Sequence, residues 1–184
     1  GSSLVGSEMC IRDSFQGVDI IIAHNASFDR AFIDRFSSNS PSKIWACSIN
    51  DIDWLERGFT SSKQELLCYW HGFYFDAHRA MNDVDALIHL LTFDTGLERP
   101  LLELIKNSNK SEFVIYAEHF KYDPVKKDIL KGNKYRWNPN DKIWFKKVNL
   151  DELEHEKDWL TATIYDQVFK GRVEEIIPNN KYKL

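Results

Sequence analysis

The sequence predicts an α/β protein in two parts, an open parallel-sheet domain followed by a small α+β domain. Three observations predict it. Val18-Asp19-Ile20-Ile21-Ile22-Ala23 is a short, nearly continuous apolar run, the pattern of a strand buried on both faces of a parallel sheet. Apolar residues recur at helical spacing after it, most clearly from Arg79 to Leu91. Charge is also uneven: Lys121 to Lys147 holds nine Lys and Arg against three Asp, a balance of +6 inside a chain of net charge −4. Such asymmetry marks two regions with different work.

Taken in order, Gly1 to Ser14 has neither helical nor strand periodicity. It resembles translated sequencing-adapter readthrough and reads as a non-native or disordered tail, 1–14. The strand from Val18 ends at His24-Asn25, and Asn25 is a suitable N-cap for a helix over Ala26 to Phe36. Phe28, Phe32 and Phe36 would form its apolar stripe. Ile44 to Cys47 is a second strand. Ser48 with Asp51 has the form of a capping box opening a helix that Gly58 closes. Ser62 with Glu65 repeats the device for a helix through Trp70, ended by Gly72. In the helix over Arg79 to Leu91, Ala80, Val84, Leu87 and Leu91 share a face. Beyond that helix, Thr95, Gly96 and Pro100 act as breakers.

The first domain is expected over 15–106, a linker over 107–112 and the small domain over 113–184. In the latter, a strand (Phe113 to Ala117), a helix (Pro124 to Leu130) and a hairpin are expected. Its strands lie near Tyr135-Arg136-Trp137 and Ile143-Trp144-Phe145, joined by Asn138-Pro139-Asn140-Asp141, residues that favour a turn. A helix (Asp151 to Tyr165) and a strand (Arg172 to Ile177) complete it.

Composition narrows the classes of function. The chain has 184 residues, 43 % hydrophobic and 14 % aromatic. No window approaches the apolar length of a membrane span, so no membrane partner is expected. Cys10, Cys47 and Cys68 show neither metal-site spacing nor an even disulfide set. They read as free thiols of a reducing compartment, which points to the cytoplasm. No signal peptide is recognisable.

Two acidic motifs carry the chemistry, His24-Asn25-Ala26-Ser27-Phe28-Asp29 and His78-Arg79-Ala80-Met81-Asn82-Asp83. The first puts a carboxylate on the first turn of a helix just beyond a buried strand, where ligands sit in open α/β sheets. In the second, Asp83 adjoins the apolar face of its helix and His78 stands at the helix start. Phosphodiester hydrolysis needs activated water and neutralised charge on phosphorus, and two hard cations held by carboxylates supply both. A histidine of near-neutral pKa suits the proton transfer. Cys68, His71 and His78 match no zinc spacing and lack a fourth ligand. Asp85, His71, His89 and His119 read as structural or solvated.

HNASFD and HRAMND resemble the second and third motifs of the DEDDh 3′–5′ exonucleases, a superfamily that includes the proofreading epsilon subunit of bacterial DNA polymerase III. The resemblance covers about Phe15 to Leu91 and is weaker beyond Phe113. It implies an incomplete ribonuclease H-like exonuclease domain that acts on single-stranded DNA or RNA 3′ ends, DNA above RNA. It also implies two Mg²⁺ or Mn²⁺ ions in the complete enzyme and a polymerase subunit as a candidate partner. It makes Asp29 and Asp83 metal ligands and His78 the general base. His24, Asn25 and Phe28 would shape the pocket for the terminal nucleotide.

The departure from the family is the first motif, Asp-x-Glu on an early strand, which no pair before Val18 supplies. The chain therefore reads as N-terminally truncated and inactive as given, with an unpaired strand edge that favours self-association. In the second domain, Lys134, Arg136 and Lys146 are candidate nucleic-acid contacts in a basic, aromatic cluster. Trp137 and Trp144 would pair across the hairpin, at least one of them in the core. The acidic stretch Asp151 to Asp158 reads as a solvated helix face. The alternative to an exonuclease is a non-catalytic module that binds nucleic acid or protein.

Overall fold

The computed structural model describes residues 15–77, 79–94, 96, 98–165 and 167–183. The tail expected over 1–14 lies outside them, as do Cys10 and His78. The chain forms two compact units, Gly1–Lys110 with Pro178–Leu184, and Ser111–Ile177. The first junction falls inside the expected linker. The second corrects the expectation that the small domain runs to 184, because the last residues belong to the first unit.

The first unit is built on a β-α-β segment, β1 (Ile20–Ala23), α1 (Ala26–Ile33) and β2 (Ile44–Cys47). The strands pair in parallel from Ile20↔Ile44 to Ala23↔Cys47. Parallel neighbours need a crossover, and α1 provides it. Side chains alternate across the pair. Ala46, with Ile20 and Ile22, joins Ile52, Trp54, Leu67, Leu87, Leu90 and Leu104 in one core. Trp45 and Cys47, with Ile21 and Ala23, join Ala26 and Tyr182 in another. Both faces are thus covered, as the continuous apolar run predicts.

Helix α1 corrects three expectations. It ends at Ile33, not Phe36, and Asn25 takes a left-handed φ of 74° without a side-chain cap bond. Asparagine visits that region more readily than most residues. The phenylalanine stripe also faces outward: Phe28, Phe32 and Phe36 are 73, 55 and 43 % exposed. The buried face is Ala26 and Arg30 instead.

Arg30 is fully buried, and its guanidinium is spent on backbone. It donates to the carbonyls of Lys181 (2.6 Å), Asn179 (2.8 Å) and Pro41 (3.1 Å), and to the Asp34 carboxylate at 3.2 Å. Lys181 in turn donates to Asp51 Oδ1 at 2.9 Å, both side chains nearly inaccessible. This polar clasp draws the final residues into the first unit.

Asp51 explains why no helix forms from Ser48 to Gly58, where only turns occur. Its Oδ2 accepts from the Cys47 N–H at 2.7 Å, back toward the strand, while Oδ1 holds Lys181. The Ser62–Glu65 cap also fails to form. Helix α2 (Gln64–Trp70) starts after Lys63 with no side-chain cap, and Gly72 follows it at a φ of 82°. Helix α3 (Ala80–Thr92) buries Ala86, Leu87, Leu90 and Leu91, while Ala80 and Val84 of the expected stripe are exposed. Helix α4 (Pro100–Ser108) was not expected. Pro100 opens it at the first turn, where a missing N–H forfeits no bond.

The second unit runs β3 (Glu112–Ala117), α5 (Pro124–Gly132), β4 (Arg136–Asn138), β5 (Ile143–Val148), α6 (Leu150–Thr163), β6 (Arg172–Ile176). The sheet is antiparallel in the order β4-β5-β3-β6. This is a double split β-α-β plan, βαββαβ. Asp123 caps α5 through the Val125 N–H, and Asn149 with Glu152 forms a capping box on α6. One sheet face packs Ile115, Ala117, Trp144 and Val148 against Leu130, Leu160 and Ile164 from the helix side. The hairpin turn is tied by Asn138 Nδ2 to Asp141 Oδ2 at 2.7 Å. Trp137 faces Trp144 with ring centroids 5.4 Å apart, and Trp144 is the buried member, as expected.

Candidate functional site

Because Ala23 and Cys47 are in register at the strand ends, His24 and Ser48 leave the sheet side by side. The Ser48 N–H still bonds the Ala23 carbonyl at 3.0 Å. His24 Nδ1 and Ser48 Oγ meet at 2.7 Å. A hydrogen bond to the Ser62 backbone and the Asp83 carboxylate both favour the charged imidazole, but burial outweighs them and lowers the His24 pKa from 6.5. A ring N–H donating to the Ser62 carbonyl leaves Nδ1 to accept from the Ser48 hydroxyl.

Asp83 is in the first turn of α3, partly buried. The Gln64 side-chain amide, at the start of α2, donates to its backbone carbonyl, which fixes the α2 and α3 starts against each other. The Asp83 charge acts on His24, so one residue from each acidic motif lies within electrostatic range of the other near the carboxyl end of the parallel pair. Ligands gather at this end of such sheets because helix starts converge there.

Asp29 is in the first turn of α1, also partly buried. Burial raises its pKa from 3.8, against a smaller opposite pull from its own backbone N–H. No interaction of Asp29 with His24 or Asp83 is resolved; His24 and Asp83 are coupled electrostatically, and Asp29 stands on the helix that follows the same strand. Asn25 is exposed, as is the ring of Phe28. His78, the expected base, is among the residues not described.

Among the described residues, no three His, Cys, Asp or Glu side chains are gathered closely enough to hold a metal ion. Two carboxylates, Asp29 and Asp83, are a partial donor set for a hard cation, which prefers several oxygen ligands. As they stand they do not make a metal centre. Ser48, Ser62 and Gln64 shape the site; the sequence marks the two serines only as helix caps and Gln64 not at all. They become visible only through the strand register and the loop leading into α2.

In the second unit, Arg136 and Lys134 are exposed, Lys134 at a left-handed φ of 65°. Lys146 differs from expectation. Its side chain runs to the helix side of the sheet and ends 2.6 Å from the Glu156 carboxylate, itself buried. Glu156 is thus the exception to the solvated face expected for Asp151 to Asp158. Among the described residues, Cys47 and Cys68 are free and buried, and no helix is long and apolar enough to cross a membrane.

Comparison with protein-family models, curated proteins and solved structures finds no match to this chain.

Proposed function

We propose that the first unit is part of a ribonuclease H-like 3′–5′ exonuclease domain carrying its second and third acidic motifs, and that the chain as given does not turn over. The observation that carries the reading is that His24, bonded to Ser48 at the carboxyl end of a parallel strand pair, feels the charge of Asp83 from the other motif. Asp29 stands on the helix that leaves the same strand. The substrate is the 3′ end of a single-stranded nucleic acid, DNA above RNA, with Asp29 and Asp83 as carboxylate ligands. Two divalent ions would supply the Lewis acidity, but the donor set described is too small to derive a step through them. What these residues do by themselves is hold a half-buried imidazole against the Ser48 hydroxyl, within range of the Asp83 charge.

The test is shortening of a 5′-labelled single-stranded oligonucleotide with Mg²⁺. The chain as given leaves the label at full length. The same chain joined to a strand bearing Asp-x-Glu trims from the 3′ end, and Asp83→Ala stops it. Trimming by the given chain that survives Asp83→Ala would overturn the proposal, and so would an inert extended protein with a native fold.

A second reading is a non-catalytic module that binds nucleic acid or protein. It is favoured by exposed basic and aromatic residues on the second unit, among them Lys134, Arg136 and Trp137.

A further inference from the structure

In the second unit both helices pack on one face of the four-stranded sheet, the face of Ile115, Ala117, Trp144 and Val148. Strand alternation sends the residues between these to the opposite face. The pairing then aligns four of them in a single cross-strand row: Arg136↔Phe145, Phe145↔Tyr116, Tyr116↔Arg172. Two aromatic rings thus sit on the two central strands, flanked on each edge strand by an arginine. Both rings are half-buried and both arginines exposed.

The remaining charges on that face decide which partner it suits. Lys147 stands one row over, opposite Val114, and Val114 faces Glu174 on its other side. Glu174 accepts from Arg172 at 3.2 Å and from the Tyr116 hydroxyl at 3.1 Å, and Glu112 pairs with Lys147 at 3.3 Å. Glu118 also pairs with Arg172, at 3.7 Å, so Arg172 is shared between two carboxylates of this face and Lys147 serves the third. Arg136 makes no ion pair among the described residues and is left for an outside anion. The Arg172 guanidinium lies 3.9 Å from the Tyr116 ring centroid, held where a planar cation can serve both a ring and a phosphate. By contrast α6, on the other side of the sheet, carries five carboxylates, Asp151, Glu152, Glu154, Glu156 and Asp158, against Lys157. The α6 part of the helix layer repels anions, whereas α5 carries Lys126, Lys127 and Lys131 against Asp128.

We infer that this face, with Tyr116 and Phe145 as stacking surfaces and Arg136 and Arg172 as phosphate contacts, binds single-stranded nucleic acid. Bases splayed from a single strand stack on aromatic side chains with little regard to sequence, while flanking cations follow the backbone. A duplex hides its base faces and gains nothing from the two rings. The inference concerns the second unit alone, so it fails or stands separately from the nuclease reading of the first.

The full chain, in EDTA so that no hydrolysis intrudes, is titrated into fluorescein-labelled single strands of DNA and of RNA, roughly 15 nucleotides long to fill a site of this size, and into a matching duplex. Single strands of either sugar are expected to bind, and the duplex at least tenfold more weakly. Two or three phosphate contacts give a log–log salt slope of about −2. Tyr116→Leu and Phe145→Leu keep apolar bulk and lose stacking, and each should weaken binding about tenfold. Arg136→Gln, on an exposed side chain that the fold does not use, should weaken binding and flatten the salt slope. Lys127→Gln on α5 should change neither. Circular dichroism melting separates loss of binding from loss of fold, and Arg136→Gln decides if the ring variants melt early. Absence of single-strand binding, equal binding of duplex, or affinity indifferent to Arg136 and both rings overturns the inference.

Discussion

His24 and Asp29 respond to burial with opposite consequences for stability. In the unfolded chain His24 titrates near 6.5, whereas in the fold burial lowers that value. As pH falls below 6.5 the unfolded state takes up a proton that the folded state resists, so stability declines toward the folded pKa and levels off beneath it. His24→Gln should flatten that acid limb in melting temperatures measured from about pH 5 to 7.5. Asp29 has its folded pKa raised above 3.8. Between the unfolded and folded values the native state holds the extra proton, so stability is lost as pH climbs through that window. Asp29→Asn should therefore melt higher than the parent at neutral pH, and a lower melt would show that its charge is compensated. A carboxylate retained at a cost to stability is the pattern expected of a ligand or catalytic group.

At the same scale, the motif residues were legible because their spacing carries chemistry, whereas Ser48 and Ser62 read only as helix caps and their place beside His24 did not show. A serine gains its meaning only from what stands opposite it. Ser48 meets His24 because the strands pair with Ala23 beside Cys47, a long-range fact that no local window holds. Arg30 and Lys181 were missed for a related reason. Charged residues are normally exposed, and their burial depends on carbonyls and a carboxylate supplied from far along the chain.

Among the elements, the strands and the α3 helix were the most readable, since their periodicity reflects burial directly. The failures cluster where a cap or breaker signal was read without its tertiary partner. Asp51 looked like half of a capping box and instead anchors Lys181. Pro100 looked like a terminator and instead starts α4. The phenylalanines of α1 have helical spacing yet lie on its outer side, because Ala26 and Arg30 face the core. The Asp51–Lys181 pair yields a test. Lys181→Met strands a buried carboxylate and should cost about 3–5 kcal/mol, while adding Asp51→Asn should return part of it. Urea unfolding of both variants measures the difference, and a single variant of parental stability would show the pair to be dispensable.

For the whole molecule, the second unit lies in sequence between α4 and the segment that closes the first. It has its own core and caps, so residues 111–177 alone should give a cooperative melt. Removing residues 178–184 should unfold the first unit and spare the second, because Arg30 would lose two of its carbonyl partners and Asp51 its lysine. Two separate transitions, only one sensitive to the deletion, are the expected calorimetric record. The general division was visible in the charge asymmetry, but the return of the last residues was not, since no local pattern in Pro178 to Lys183 announces a partner.

The nuclease reading rests on two distant motifs converging, and His24 is the reporter for it. Its imidazole pKa can be followed by the ring proton shifts in a ¹⁵N- and ¹³C-labelled sample, in the parent and in Asp83→Asn. The Asp83 charge supports the protonated ring, so its removal should lower the His24 pKa further, while Asp53→Asn leaves it in place. A His24 titration identical in the parent and in Asp83→Asn would mean that the motifs do not meet.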